Sequence, residues 1–216
     1  MKKIKISVVF LLFLVAFTGC GEKKRDLTVY TYSSFPVALI EKVKEHFKEQ
    51  VTVEFRSFSD TGPLYNQLVQ EKKKPVADLV IGLDNNYFTR IVREDLLRPY
   101  RPKVADRIRE DLVFDPKFRL TPFDYGYVLF NYDSEKLGRV PTTHQELTDP
   151  YYRGKIILQN PLTSSPGQVF LLTTVALFGE DGYLDYWRAL KENLLAITPG
   201  WDEAYGMYTS GEAPIV

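Results

Sequence analysis

Strand-like and helix-like segments alternate between residues 27 and 96, and this alternation limits the folds that the chain can adopt. Three segments have the apolar pattern of strands, and each is followed by a segment in which apolar residues recur with the helical period. In chain order these segments are 27–31, 35–50, 51–55, 64–71, 76–82 and 87–96. Strands and helices joined by short links favour βαβ units and a parallel sheet. The sequence therefore predicts an α/β fold.

The second half of the chain has weaker patterns. Residues 98–119 are charge-rich, contain three prolines and are predicted to be an irregular connection. Residues 122–131 are predicted to form a long strand that crosses between two lobes. The remaining predicted elements are a short helix at 144–148, a strand at 155–159, helices at 168–178 and 183–194, and a short helix that starts at Trp201.

The first twenty residues have the pattern of an export signal. Lys2, Lys3 and Lys5 form a basic start, and residues 6–17 are apolar apart from Ser7. As a helix this apolar run would span about 18 Å, whereas the hydrocarbon core of a membrane is about 30 Å thick. We therefore predict a signal peptide at 1–20 rather than a membrane span.

The end of this leader resembles a bacterial lipoprotein processing box, in which a cysteine becomes the lipidated N-terminus. The sequence there is Phe-Thr-Gly-Cys, so we predict lipidation of Cys20 and a short tether at 21–25. The alternative is an ordinary secretory leader that is cut near the same place. Cys20 is the only cysteine, so the chain can form neither an intramolecular disulfide nor a thiolate metal cluster.

Composition and motifs exclude several classes of function. Removal of residues 1–19 leaves 25 Lys and Arg residues against 28 Asp and Glu residues, so no nucleic-acid partner is expected. The chain has no Gly-x-Ser-x-Gly motif and no Walker or dinucleotide-binding glycine loop, so no nucleophile–base pair supports an enzyme. The two histidines, His46 and His144, lack metal-ligand spacing and are expected to be solvated.

Polar and aromatic residues follow each of the three strands predicted in the first half. They stand at 32–34, 58–60 and 82–86. Ligands of parallel sheets bind outside the carboxyl ends of the strands, so we expect a binding site there. Asp60, which directly precedes Thr61, could hydrogen-bond an amino group of a ligand or cap the following helix.

Two segments of the second half are further candidates for ligand contact. Ser165 and Pro166 suit the N-cap and first position of a helix, where free amides and serine hydroxyls could hold a phosphate or hydroxyl group, or form a plain cap. Trp201 follows a Pro-Gly turn, and Tyr205 stands four residues later on the same helix face. This aromatic face suits a flat cationic ligand or belongs to the core, and the spacing leaves both interpretations open.

Five segments of the chain resemble thiamine-binding proteins of ABC importers, and they occur in the family's order. These segments are 27–35, 77–86, 122–127, 159–167 and 200–206. The resemblance implies a two-lobed periplasmic-binding-protein fold of type II. Lobe 1 would comprise residues 21–121. Residues 122–131 would form a crossing strand or hinge, and residues 132–216 would form an incomplete lobe 2. Family members are longer, so we expect a protein that lacks the C-terminal third, as a fragment, a split gene or a frameshifted copy.

The resemblance also implies a function. Proteins of this family have no catalytic activity and no cofactor, and they hand thiamine or its phosphates to a membrane permease and its ATPase. We expect a monomeric receptor that is lipid-anchored to the membrane, in the periplasm or on the outer cell surface. The alternatives are an importer receptor for iron(III), phosphonate or polyamine, with Tyr151 and Tyr152 as a candidate ferric pair, and a truncated lipoprotein remnant that binds nothing.

The motifs of the family imply ligand contacts at Asp60, Thr61, Ser164, Ser165, Trp201 and Tyr32. The aspartate and the threonine would bond the aminopyrimidine side of the ligand. The two serines would hold the hydroxyethyl or phosphate tail. The indole would stack on the cationic ring, and the tyrosine would form an aromatic wall.

Overall fold

The structure, a computed structural model, describes residues 25–216. The signal peptide predicted at 1–20, the lipidation site Cys20 and the tether as far as residue 24 lie outside the described residues. Among the described residues, no helix has the length and the apolar character needed to cross a membrane.

The first half of the described chain forms a three-stranded parallel sheet with helices between its strands. The elements are β1 (Arg25–Tyr32), α1 (Val37–Phe47), β2 (Val51–Phe58), α2 (Thr61–Glu71), β3 (Leu79–Val80) and α3 (Phe88–Glu94). The strand order is β2-β1-β3, and both pairings are parallel. This arrangement confirms the α/β prediction. The core of this half is built around Tyr30, Leu64 and Leu68.

Strand β3 is shorter than the predicted segment 76–82. The amide of Thr28 donates to the carboxylate of Asp78 at 2.9 Å, rather than to a backbone oxygen of the neighbouring strand. The Asp78 amide still donates to the carbonyl of Thr28 at 2.9 Å, but the Thr28 amide is taken by the side chain, so the regular ladder begins only at Leu79. The pattern of apolar residues gave the strand but could not reveal this local competition.

The connection at 98–119 is irregular, as predicted, with single 3₁₀ turns at Ala105–Arg107 and Glu110–Leu112. A buried ion pair organises its end. The Asp115 carboxylate accepts from Arg119 Nη2 at 2.9 Å and from Arg119 Nε at 3.0 Å, and its side chain is inaccessible to solvent. This pairing holds the pKa of Asp115 well below its usual range.

The crossing strand predicted at 122–131 is not present as a strand, and this prediction was wrong. Backbone pairing occurs only at its end, where Asn131 and Val216 exchange two hydrogen bonds of 2.8 and 3.0 Å and Tyr132 pairs with Ile215. Tyr127 is 86% exposed, and several neighbouring apolar side chains are also exposed. The residue types suit a strand, but a strand needs a neighbouring backbone, and the described residues supply none to most of this segment.

The second half contains a two-stranded parallel sheet. Its elements are β4 (Ile156–Gln159), α4 (Ser165–Lys191), β5 (Leu194–Thr198) and α5 (Trp201–Thr209). Ile215 adds to the edge of β4, with the amide of Ile157 donating to its carbonyl at 2.9 Å. The core packs the apolar face of α4, including Phe170, Tyr186 and Leu190, against these strands.

Two predictions for this half need correction. Strand β5 was missed, because the second helix ends at Lys191 and the chain is extended from Leu194. The break predicted between the helices at 168–178 and 183–194 is confirmed, since Gly179 has a φ of 73° and divides α4 into two helical stretches. His144 is not solvated, because it is half-buried and its ring stacks on Phe170 with centroids 5.9 Å apart. This burial lowers the pKa of His144. His46 is exposed, as predicted.

Candidate functional site

A cavity of about 930 Å³ opens at the carboxyl ends of the strands in the first sheet. Tyr32, Asp60 and Gly82 reach it from the ends of β1, β2 and β3. Ser165 and Trp201 reach it from the starts of α4 and α5 in the second half of the chain. The cavity therefore lies where the strand ends predicted a ligand site, and both halves of the chain line it.

Asp60 lies at the junction of the two halves and is only 8% exposed. Its Oδ1 accepts from the amide of Thr61 at 2.7 Å, which caps α2, and from the amide of Ser165 at 3.2 Å, at the start of α4. Its Oδ2 is buried and has no hydrogen-bond partner among residues 25–216. One oxygen thus caps a helix, as sequence reasoning had allowed, while the other is free to accept from a ligand.

The free oxygen of Asp60 lies near the turn that leads into Trp201. A Cβ built on Gly200 would stand 3.4 Å from Asp60 Oδ2. An N–H donor bound to this oxygen would therefore be close to the start of α5, which carries the indole.

Thr61 fixes the start of α2 against the loop that follows β3. It is buried, lines the cavity, and its hydroxyl donates to the carbonyl of Gly82 at 2.8 Å. The next residue, Gly62, donates its amide to the carbonyl of Thr163 in the second half at 3.1 Å. A Cβ at Gly62 would be 2.6 Å from that oxygen, so only glycine allows this approach.

The two serines at the start of α4 differ from their predicted roles. Ser164, not Ser165, is the N-cap residue, and its side chain makes no capping hydrogen bond. Ser164 is fully buried and donates its hydroxyl to Gln159 Oε1 at 2.7 Å. It is not among the residues that line the cavity, whereas Ser165 is. Adjacent serines before a proline fit the sequence pattern equally well, so spacing could not assign the cap.

Trp201 and Tyr205 form the aromatic helix face expected from their spacing. Their rings stack with centroids 4.7 Å apart and an interplanar angle of 12°. Trp201 is 40% exposed and lines the cavity, so its side chain lies in the cavity wall rather than in the core.

Tyr32 also lines the cavity, and the backbone of Gly82 sets its position. Gly82 has a φ of 107°, and a Cβ there would stand 2.3 Å from Tyr32 Cδ1. Burial raises the pKa of Tyr32, and the negative charge of Asp124 adds to this shift. The absence of a side chain at Gly82 therefore gives the tyrosine ring the space in which it lies.

The described part of the cavity wall is acidic and aromatic. Its titratable lining includes five aspartates and no lysine, arginine or histidine. The aspartates are Asp60, Asp84, Asp111, Asp124 and Asp202. Its aromatic residues are Tyr32, Phe35, Phe114, Phe123, Tyr125 and Trp201. A wall of carboxylates and flat rings suits a flat organic cation.

Sequence reasoning did not single out four of these five aspartates. Asp84 could have been found, because it stands in the polar cluster at the end of β3. It caps the single turn Asn85–Tyr87 through Oδ1, which accepts from the amide of Asn86 at 2.7 Å. Burial raises the pKa of Asp84, with a smaller contribution from the charge of Asp60. Asp202 accepts a hydrogen bond from the Ser33 hydroxyl, a tertiary contact that no sequence pattern indicates.

The tyrosine pair considered for ferric iron lies elsewhere. Tyr152 is fully buried and donates its hydroxyl to the carbonyl of Arg139 at 3.1 Å. The Tyr151 hydroxyl accepts from the amide of Gly138 at 3.1 Å. Neither tyrosine lines the cavity, and residues 25–216 contain no cluster of His, Cys, Asp or Glu suited to a metal ion. The pair is therefore part of the packing of the second half.

Comparison with known proteins is consistent with this geometry. Residues 74–216, more than half of the chain, match the model of a family described as bacterial extracellular solute-binding protein. The chain is 34% identical over 225 residues to a thiamine-binding periplasmic protein of Brucella abortus biovar 1 (strain 9-941), with 100% of this chain and 65% of the relative covered. It is 34% identical over 206 residues to a protein of the same name from Escherichia coli (strain K12), with 89% and 59% covered.

A solved structure of a periplasmic thiamin binding protein has a similar fold. The TM-score is 0.80 at 33% sequence identity, and the alignment covers 89% of this chain and 61% of the other. This similarity confirms the predicted two-lobed fold of type II periplasmic binding proteins. The chain spans less than two thirds of the length of the curated relatives named above.

Proposed function

The chain belongs to the bacterial extracellular solute-binding protein family, and we propose that it is an extracytoplasmic receptor that binds thiamine and delivers it to an ABC importer. The observation that carries the proposal is the cavity wall, in which aromatic rings and carboxylates occur without a basic side chain among the described lining residues. Thiamine joins an aminopyrimidine ring to a positively charged thiazolium ring. Flat rings and a permanent positive charge complement such a wall.

The roles of the site residues follow from their contacts. Trp201 presents an accessible ring for stacking on the cationic heterocycle, and Tyr32 forms a second aromatic wall. Asp60 offers its unpaired Oδ2 to an N–H of the aminopyrimidine, while Thr61 holds this side of the cavity in place. Ser165 is the serine available to the hydroxyethyl or phosphate tail.

Ser164 contributes to the proposed site through position rather than contact. Its bond to Gln159 links the start of α4 to the end of β4, and this link orients the first turn that carries Ser165. A thiamine receptor needs no reacting group, so we propose binding and release without catalysis or a cofactor.

Delivery completes the proposal. A lipid on Cys20 would keep a monomeric receptor at the membrane surface, in the periplasm or on the outer face of the cell, beside the permease and ATPase. Lobe 1 (21–121) and lobe 2 (132–216) would move relative to each other about residues 122–131 as the ligand enters and leaves. The contacts of Asp60 with Ser165 and of Gly62 with Thr163 lie between these two proposed lobes.

Isothermal titration of the mature chain with thiamine tests the proposal. We expect saturable binding, and thiamine monophosphate titrated in parallel reports whether the site accepts a phosphate on the tail. Thiamine at about 1 mM detects binding free energies as weak as about −4 kcal/mol. If circular dichroism shows a folded chain and this concentration gives no heat of binding, the proposed function is contradicted.

A polyamine is the second candidate ligand, because the four lining aspartates other than Asp111, which is paired with Arg109, also suit a flexible polycation. The aromatic lining favours thiamine, since stacking rewards a flat cation more than a chain of methylenes and ammonium groups. Competition distinguishes the two candidates. Spermidine at about 1 mM is expected to leave thiamine binding unchanged, and this concentration is high enough to detect binding as weak as about −4 kcal/mol. Displacement of thiamine by spermidine would favour the polyamine assignment.

A further inference from the structure

Two carboxylate oxygens in the cavity are buried and lack a hydrogen-bond partner among the described residues. They are Asp60 Oδ2 and Asp84 Oδ2. Buried polar atoms in proteins are nearly always hydrogen-bonded, so an unpaired pair in one cavity needs an explanation. Both residues line the cavity, and Asp60 is more than nine-tenths buried. Their free oxygens are therefore acceptors that a bound molecule can satisfy.

The local role of Asp84 explains only one of its oxygens. Capping of the turn Asn85–Tyr87 uses Oδ1, and an asparagine or serine would cap this turn equally well. A carboxylate at this position also incurs a desolvation cost, since burial raises the pKa of Asp84 and the neighbouring charge of Asp60 raises it further. The second oxygen of Asp84 is thus left without a hydrogen-bond partner among the described residues.

We infer that Asp84 is a specificity-determining residue of the proposed thiamine site, where its Oδ2 accepts an N–H of the exocyclic amino group of the ligand beside Asp60. An aromatic amino group carries two N–H donors, and the two unpaired oxygens provide one acceptor for each. The inference rests on the proposed function and deepens it. It assigns recognition of the amino group to a pair of carboxylates instead of to Asp60 alone.

The inference makes a prediction about ligand choice. A site whose buried acceptors are satisfied by an amino group rejects an analogue that cannot donate twice, because an acceptor is then left unpaired. The probes are thiamine and the thiamine analogue in which a hydroxyl group replaces the pyrimidine amino group. We expect the unmodified chain to prefer thiamine by about tenfold or more, a ratio in the range of a lost buried hydrogen bond.

Titration of variants with both probes tests the role of Asp84. In Asp84→Asn the preference for thiamine should fall to about threefold or less, because an amide replaces one acceptor with a donor. Asp84→Ser retains a capping oxygen and serves if the first variant unfolds. The matched control is Asp149→Asn, since Asp149 caps the turn Pro150–Tyr152 in the same way but outside the cavity. This control should keep the full preference.

Each outcome decides the inference. Loss of preference in the Asp84 variants with retention in the Asp149 variant supports it. An unchanged preference in the Asp84 variants overturns it, and so does equal weakening of both probes, which would indicate only a general charge effect. An unmodified chain that binds both probes equally overturns the inference and leaves the proposed function standing. An unmodified chain that binds neither probe overturns both.

Discussion

At the scale of single residues, Trp201 presents an accessible ring at the cavity, where we propose that it stacks on the ligand. Trp201→Ala should weaken thiamine binding roughly 2- to 30-fold, the equivalent of about 0.5–2 kcal/mol for a lost cation–π contact. Stability should change little, because the side chain is already 40% exposed. Titration calorimetry together with thermal unfolding checks both expectations. Tyr127→Ala, which removes an exposed ring outside the cavity, should leave affinity unchanged.

A second residue-scale prediction concerns Gly82. Its φ of 107° is strained for any other residue, and an added Cβ would collide with the ring of Tyr32. Gly82→Ala should therefore cost about 1–3 kcal/mol of unfolding free energy and also reduce thiamine affinity by displacing that ring.

The comparison variant is Gly206→Ala, in the interior of α5, where a Cβ meets nothing within 4 Å. This change should stabilise the chain by about 0.5–1 kcal/mol. Urea unfolding and calorimetry measure both effects. Equal stability of the Gly82 variant and the unmodified chain would contradict the account given of Tyr32.

At this scale, the sequence predicted which side chains line the cavity when residue type and a neighbouring turn were sufficient to indicate it. Asp60 is a carboxylate at the end of a strand, and Trp201 is an aromatic residue directly after a Pro-Gly turn. Both patterns can be recognised in the sequence. Ser164 and Ser165 are chemically identical neighbours, so only the direction of the backbone decides which one faces the cavity. Asp124 and Asp202 lie far from Asp60 along the chain, and their presence in one wall depends on tertiary contacts.

At the scale of elements, the end of the irregular connection depends on Asp115. The Asp115 carboxylate accepts hydrogen bonds from Arg119 and from the backbone amides of Lys117 and Arg119, and these bonds lower its pKa in the folded state. A carboxyl group with a lowered folded-state pKa stabilises the fold fully above its unfolded-state pKa of about 3.9. That stabilisation is lost progressively as the pH falls below this value.

Asp115→Asn should consequently destabilise the chain by about 1–3 kcal/mol at pH 7, the range for a lost charged hydrogen bond. The difference from the unmodified chain should shrink as the pH falls from about 5 towards 2. Urea unfolding at several pH values measures this. Asp106→Asn, which removes an exposed partner of Arg101, should cost less than about 1 kcal/mol. A difference that is independent of pH would contradict the role assigned to the charge.

Helices and strands were predicted correctly where the periodic pattern of apolar residues extends over many residues. They were predicted wrongly where pairing with another strand determines whether a segment forms a strand. Helix α1 and strands β1 and β2 follow from the repeat of apolar residues. Residues 122–131 have a strand-like composition but form no strand, because most of their backbone has no neighbour among residues 25–216. Strand β5 was missed for a related reason. Its short apolar run follows a helix directly, and only pairing with β4 makes it extended.

At the scale of the whole molecule, Gly62 lies at a close backbone contact between the two halves. A Cβ at this position would stand 2.6 Å from the Thr163 carbonyl oxygen, so Gly62→Ala should hold the halves apart. If the closed arrangement becomes tenfold less populated, the apparent affinity for thiamine falls by about tenfold.

Small-angle scattering should then show a larger radius of gyration for the Gly62→Ala variant in the presence of thiamine, and calorimetry should show the loss of affinity. Gly206→Ala again serves as the control, since it adds the same methyl group away from the contact. A variant with unchanged radius and affinity would contradict the view that this approach accompanies binding.

The acidic lining has a kinetic consequence. A cavity whose described lining carries carboxylates and no basic side chain draws positive solutes toward it from beyond contact distance and slows the approach of anions. Such long-range attraction is screened over about 10 Å at 0.1 M salt. The association rate of thiamine should therefore fall steeply as ionic strength rises, while its dissociation rate, governed by stacking and hydrogen bonds at close range, should remain nearly constant.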